Sequence, residues 1–141
     1  RATKFSYETM CNGLTFLRQN MQFLMNLPKM SKAEEDSLDD MRLVEEFYVR
    51  GFEFTPIDLQ IVKPDKFQIV GDKLMPSLKS IEGIADTAAK NIVEGCKNNT
   101  FTSIADLKKK CKIGDSVADK LVALGIINNL PKSDQLSIFD I

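Results

Sequence analysis

Histidine is absent from this chain and cysteine is scarce, with Cys11, Cys96 and Cys111 in no CxxC pairing. Without imidazole or paired thiolates, the usual zinc sites and histidine-based acid–base catalysis are excluded. Three unpatterned cysteines also give no disulfide framework and fit a reducing compartment. No apolar run reaches 18 residues, so nothing in the sequence is long enough to span a bilayer and no membrane partner is expected. Arg1 opens no signal-peptide pattern, and the missing initiator methionine reads as an excised part of something longer.

What is present is ordinary for a globular chain of 141 residues: 43% hydrophobic, 28% charged, net charge −1. The charge is unevenly spread. Residues 1–70 carry 9 basic and 11 acidic side chains, residues 71–132 carry 10 lysines and 7 acids, and the tail adds only Asp134 and Asp140. The basic excess falls on the part of the chain that repeats itself, where a phosphate-facing surface would need it.

At an offset of 29, residues 84–93 and 113–122 share Ile84/Ile113, Asp86/Asp115, Ala89/Ala118 and Val93/Val122. Ala85/Gly114, Thr87/Ser116 and Ile92/Leu121 differ conservatively. Self-similarity at a fixed offset marks one supersecondary unit used twice. Each copy has a glycine-bearing turn, a polar capping position and an apolar helix face, the pattern of a helix–hairpin–helix. Such a turn presents backbone N–H groups at a helix start, a favourable place for phosphate. The plain alternative is two helical hairpins that only pack a core.

Elsewhere, Met10, Leu14, Leu17, Met21 and Leu24 step by 4, 3, 4 and 3 residues, predicting one helix from about Phe5 to Asn26 that Leu27-Pro28 stops. Cys11 and Met25 flank this seam as structural residues. Ser31-x-x-Glu34 is a capping box for a second helix, with Leu38, Met41, Val44, Phe47 and Tyr48 inward and Gly51 just past its end. The acids Glu34, Glu35, Asp36, Asp39 and Asp40 read as its solvated face. Residues 52–75 alternate apolar and polar and predict two or three short strands, with a hairpin at Val70-Gly71-Asp72-Lys73. Pro76 starts a short helix through Leu78 and Ile81. Asp86 or Thr87 is expected to cap the next helix, which ends near Asn98-Asn99. Ser103-x-x-Asp106 caps another, Ser116 to Leu124 forms the last, and Gly125 closes it. Lys108, Lys109 and Lys110 read as the solvated side of a helix.

The segment E-F-Y-V-R-G-F-E-F-T-P-I-D-L resembles the E-x-x-x-R-G-I/F-x-F-x-P-x-D-L stretch of the bacterial polymerase III α-subunit family. L-M-P-S-L-K-S-I-E-G-I-A-D-T-A-A-K-N-I-V, followed by F-T-S-I-A-D-L, resembles that family's tandem helix–hairpin–helix duplex-binding domain, and L-P-K-S-D-Q-L-S-I-F is similar to the end of its PolC type. The resemblance spans nearly the whole chain and is weakest over residues 1–40. It implies a mainly α fold: a helical pair from the fingers region at 1–51, a small β segment at 52–75, the tandem helix–hairpin–helix at 76–130 and a clamp-binding tail at 131–141. It also implies a non-catalytic piece of a DNA-directed DNA polymerase in the bacterial cytoplasm, associated with the nucleoid. The aspartates that hold magnesium lie outside this chain, so no catalytic residue and no cofactor are expected within it.

Expected duplex contacts are the backbone at Gly83, Ile84, Ala85, Asp86 and Thr87, the backbone at Ile113, Gly114, Asp115 and Ser116, and the charges of Lys79, Lys90, Lys112 and Lys120. Gln135, Leu136, Ser137, Ile138 and Phe139 resemble the peptide that docks on the bacterial sliding clamp, the β subunit. Each hairpin keeps only one of the family's two glycines, with Ala85 and Lys112 at the other positions. Alanine where positive φ is needed would strain the first hairpin by about 1 kcal/mol or more, and alanine where only close approach to phosphate is needed would cost it reach; either makes the second hairpin the firmer grip. The rival reading is a helix–hairpin–helix scaffold that binds protein and no DNA, for which the lost glycines would speak. A repair or ligase module is a third, disfavoured by the R-G-F-E-F-T-P-I-D-L segment.

Overall fold

The computed structural model describes residues 5–97, 99–128 and 130–132. The fold is mainly α, with six helices, one 3-10 turn and one two-stranded antiparallel sheet among the described residues. Residues 133–141, which include the whole clamp-like peptide, lie outside them.

The helix expected over residues 5–26 is two helices, α1 (Tyr7–Cys11) and α2 (Leu14–Met25). Ser6 caps α1, its hydroxyl accepting the Thr9 N–H while Thr9 Oγ1 accepts the Ser6 N–H. The break falls at Asn12-Gly13, where Gly13 takes φ +91°, a conformation that side chains disfavour. One side chain from α3 (Lys32–Val49) satisfies both edges of the break. Tyr48 Oη accepts the Gly13 N–H at 3.3 Å and donates to the Met10 carbonyl at 2.6 Å. The apolar spacing did not register the break because both halves keep helical periodicity. The break nevertheless sends them to different cores: Tyr7 and Met10 join the larger one, while Leu17, Met21 and Leu24 pack on Leu38 and Met41 of α3.

Helix α3 begins and ends as its sequence dictates. Ser31 and Glu34 form the reciprocal capping box, and Gly51 follows the C-cap Arg50 with φ +89°. The β-hairpin pairs β1 (Gln68–Val70) with β2 (Lys73–Met75), Val70 opposite Lys73 around Gly71-Asp72. The run from Phe52 forms no third strand. Leu74 exchanges backbone bonds with Glu53 and Thr55, giving a single parallel bridge to Phe54. Pro56 then offers no N–H to extend the pairing. The Phe54 ring packs tilted against Phe47, centroids 4.5 Å apart, so this segment ties α3 to the hairpin.

A 3-10 turn (Leu78–Ser80) leads into α4 (Asp86–Cys96), α5 (Ile104–Cys111) and α6 (Asp115–Ala123). Leu78, Ile81, Ile92, Leu107 and Leu121 fill the core between them. Helices α4 and α5 cross at Gly95, where a Cβ would stand 2.7 Å from Cys111 Cα and from the Lys110 carbonyl oxygen. Only a residue without a side chain permits that approach.

Candidate functional site

The two repeat copies fold alike. Ala89 and Ala118, and Ile92 and Leu121, are buried at matching places on α4 and α6. The positions that start these helices also match: Ala85 has φ −82° and ψ 172°, and Gly114 has φ −86° and ψ −179°. These residues are the N-caps, in place of the expected Asp86 or Thr87. Asp86 and Asp115 instead occupy the first helical position, and α6 begins one residue before Ser116. The preceding turn residues also match, Gly83 with φ +94° and Lys112 with φ +54°.

This geometry removes one of the two expectations for Ala85, that of a strained turn. Ala85 stands in an extended conformation open to any residue, so it strains nothing. The residue under strain is Lys112, a non-glycine in the left-handed region, at a cost of about 1–2 kcal/mol.

The helix starts differ in how their free N–H groups are met. At α5 the Ser103 hydroxyl accepts the Asp106 N–H at 2.9 Å, and the carbonyls of Pro131 and Lys132 accept the Ile104 and Ala105 N–H groups. At α4 and α6 no side chain caps the helix. Their first-turn N–H groups have no intrahelical acceptor either, and Asp86, Thr87, Asp115 and Ser116 are exposed. The Ile84 and Ile113 N–H groups, expected to face phosphate, are engaged inside their turns by the carbonyls of Ile81 and Lys108. The Ile84 side chain is buried in the core.

Among the lysines, Lys79 and Lys90 both reach Asp86, at 3.6 and 3.1 Å. Lys108 reaches Asp115 at 2.6 Å, so it lies at the second hairpin, not simply on a solvated helix side. Lys112 is exposed on its strained turn. Lys120 stands apart from the hairpins, paired at 3.0 Å with Glu8 of α1. Nothing in the local sequence signals that pair, whose members lie 112 residues apart. The Lys90 ammonium, with Lys79 beyond it, holds the Asp86 carboxyl below its ordinary range, and Lys108 does the same for Asp115. Among the described residues no group of three acidic, cysteine or histidine side chains could hold a metal, and no helix is long and apolar enough to cross a membrane.

Two glycine-type turns, each feeding an uncapped helix start and related by the internal repeat, define a tandem helix–hairpin–helix unit. The chain belongs to the helix-hairpin-helix motif family, whose model matches residues 51–136 and so takes in the β-hairpin as well as both helical hairpins. It is also similar to DNA polymerase III PolC-type of Streptococcus pyogenes serotype M5, 33% identical over 143 aligned positions. The corresponding protein of Streptococcus pneumoniae serotype 4 is 30% identical over the same length. Each alignment covers 99% of this chain and 10% of the relative, so the chain spans about a tenth of the length of these relatives.

Proposed function

We propose that residues 76–125 grip the sugar-phosphate backbone of primer–template duplex along the minor groove, as a non-catalytic part of a PolC-type replicative polymerase. The observation that carries this is the repeated pair of exposed helix starts, α4 and α6, with no side-chain cap. Phosphate oxygens are the acceptors such N–H groups suit, aided by the positive end of the helix dipole. Contacts of this kind position a duplex without reading its sequence. Against the protein-scaffold alternative, Ala85 adopts the same extended conformation as Gly114, so that lost glycine leaves the turn unchanged.

In this reading the polymerase's magnesium-holding aspartates and nucleotidyl transfer belong to the rest of a longer bacterial protein working on the chromosome in the cytoplasm. The tail peptide Gln135–Phe139 tethers that polymerase to the sliding clamp. The Gln135 amide would bond to backbone groups, and Leu136, Ile138 and Phe139 would enter an apolar cleft.

Titration of this chain with a generic duplex at two salt concentrations tests the grip. With about 4–5 phosphates neutralised, log K should fall against log salt with a slope of roughly −4. Absent or salt-independent binding by the folded chain would sink the reading. For the tether, Phe139→Ala should weaken clamp binding by about 2 kcal/mol or more. Unchanged affinity would refute it.

A further inference from the structure

The offset of 29 that relates the hairpins also relates Lys79 to Lys108. Each reaches seven residues along the chain to the aspartate at the first position of the following helix, Lys79 to Asp86 and Lys108 to Asp115. The copies differ in the element that carries the lysine, a 3-10 turn in one and α5 in the other. They differ too in which turn residue is glycine, yet both place the same pair across the turn.

As a stabilising device the pair is weak, since exposed ion pairs contribute little and Asp115 is 83% exposed. An aspartate in the first turn already gains from the helix dipole without a lysine. The pair does place the ammonium against the carboxylate at the first position of a helix that no side chain caps. A carboxylate oxygen and a phosphate oxygen accept the same charge-assisted bond from lysine.

We propose that Asp86 and Asp115 are internal stand-ins for phosphate, which the duplex backbone displaces from Lys79 and Lys108, so that Lys108 joins the duplex-contacting residues. This rests on the duplex reading above and adds the residues and the exchange to it. The two latches are unequal. Asp86 holds both Lys79 and Lys90, whereas the repeat counterpart of Lys90 is Asp119, leaving Asp115 with Lys108. Neutralising Asp86 therefore frees two cations, and neutralising Asp115 frees one.

The test is duplex titration of this chain at two salt concentrations with D86N, D115N, D119N, K108A and K109A. D115N should tighten binding about threefold and D86N more, while D119N, one turn further along α6, changes it less than twofold. K108A should weaken binding about fivefold and reduce the salt slope by about one, with K109A close to wild type. Equal gains from D119N and D115N would mean simple repulsion and overturn the exchange. Weaker binding by D115N would mean that the aspartate is a fixed strut, and K108A equal to wild type would remove Lys108 from the contacts. Either result overturns the inference while wild-type binding leaves the duplex reading standing. Failure of the wild type to bind overturns both.

Discussion

Lys112 takes a positive φ where Gly83 does in the other copy, and this exchange sets the energetics of both turns. Gly83 is open to a Cβ sterically, with nothing within 4 Å, so its constraint is φ alone. Gly83→Ala should lower unfolding free energy by about 1 kcal/mol. Ala85→Gly, which would restore the family pattern, should bring no gain and cost a few tenths to about 1 kcal/mol, because it only loosens the unfolded chain. Lys112→Gly should do the opposite of a simple charge deletion: stability rises by about 0.5–1 kcal/mol while duplex affinity falls. Chemical denaturation alongside duplex titration reads both quantities on the same three variants.

At the scale of elements, two contacts decide how the helices meet. Tyr48 bridges the gap between α1 and α2, and burial pushes its phenol pKa up, so it remains a donor. Tyr48→Phe leaves the Gly13 N–H and Met10 carbonyl without that hydroxyl and should cost about 1–3 kcal/mol in denaturant unfolding. Gly95→Ala pushes a methyl into the backbone of α5 and should cost about 1–3 kcal/mol, with near-full loss of folding if α5 cannot shift. These contacts mark the limit of what the sequence discloses. The Ser31 and Ser103 caps, the Gly51 stop and the turn at Gly71-Asp72 were legible because each is a local bond between residues two to four apart. The break at Gly13 was written in the dipeptide Asn12-Gly13 but hidden by an apolar spacing that runs through it. The pairs Lys120–Glu8 and Gly95–Cys111 join distant segments, and no periodicity carries them. At the hairpins the repeat exposed the matching positions. It could not say which of them needs positive φ, so strain at Ala85 stayed open as one alternative and strain at Lys112 went unread.

For the molecule as a whole, acid is the informative stress. Asp86 and Asp115 are held below the ordinary aspartate range by their lysines, and Asp106 chiefly by the Thr102 N–H it accepts. A lowered folded pKa means stability that is full above the unfolded value and is lost as pH falls through the folded one. The thermal midpoint should therefore hold steady down to the ordinary aspartate range and then decline. D86N and D115N should flatten part of that decline, and a scan against pH for the wild type and both variants checks it.

Pro131 and Lys132 spend their carbonyls on the first N–H groups of α5, which pins the chain there. Gln135 is three residues beyond Lys132, and an extended chain covers at most about 3.5 Å per residue. Whatever grasps Gln135 is thus kept within roughly 10 Å of the start of α5. A leash that short restricts direction as well as distance for any partner that takes Gln135.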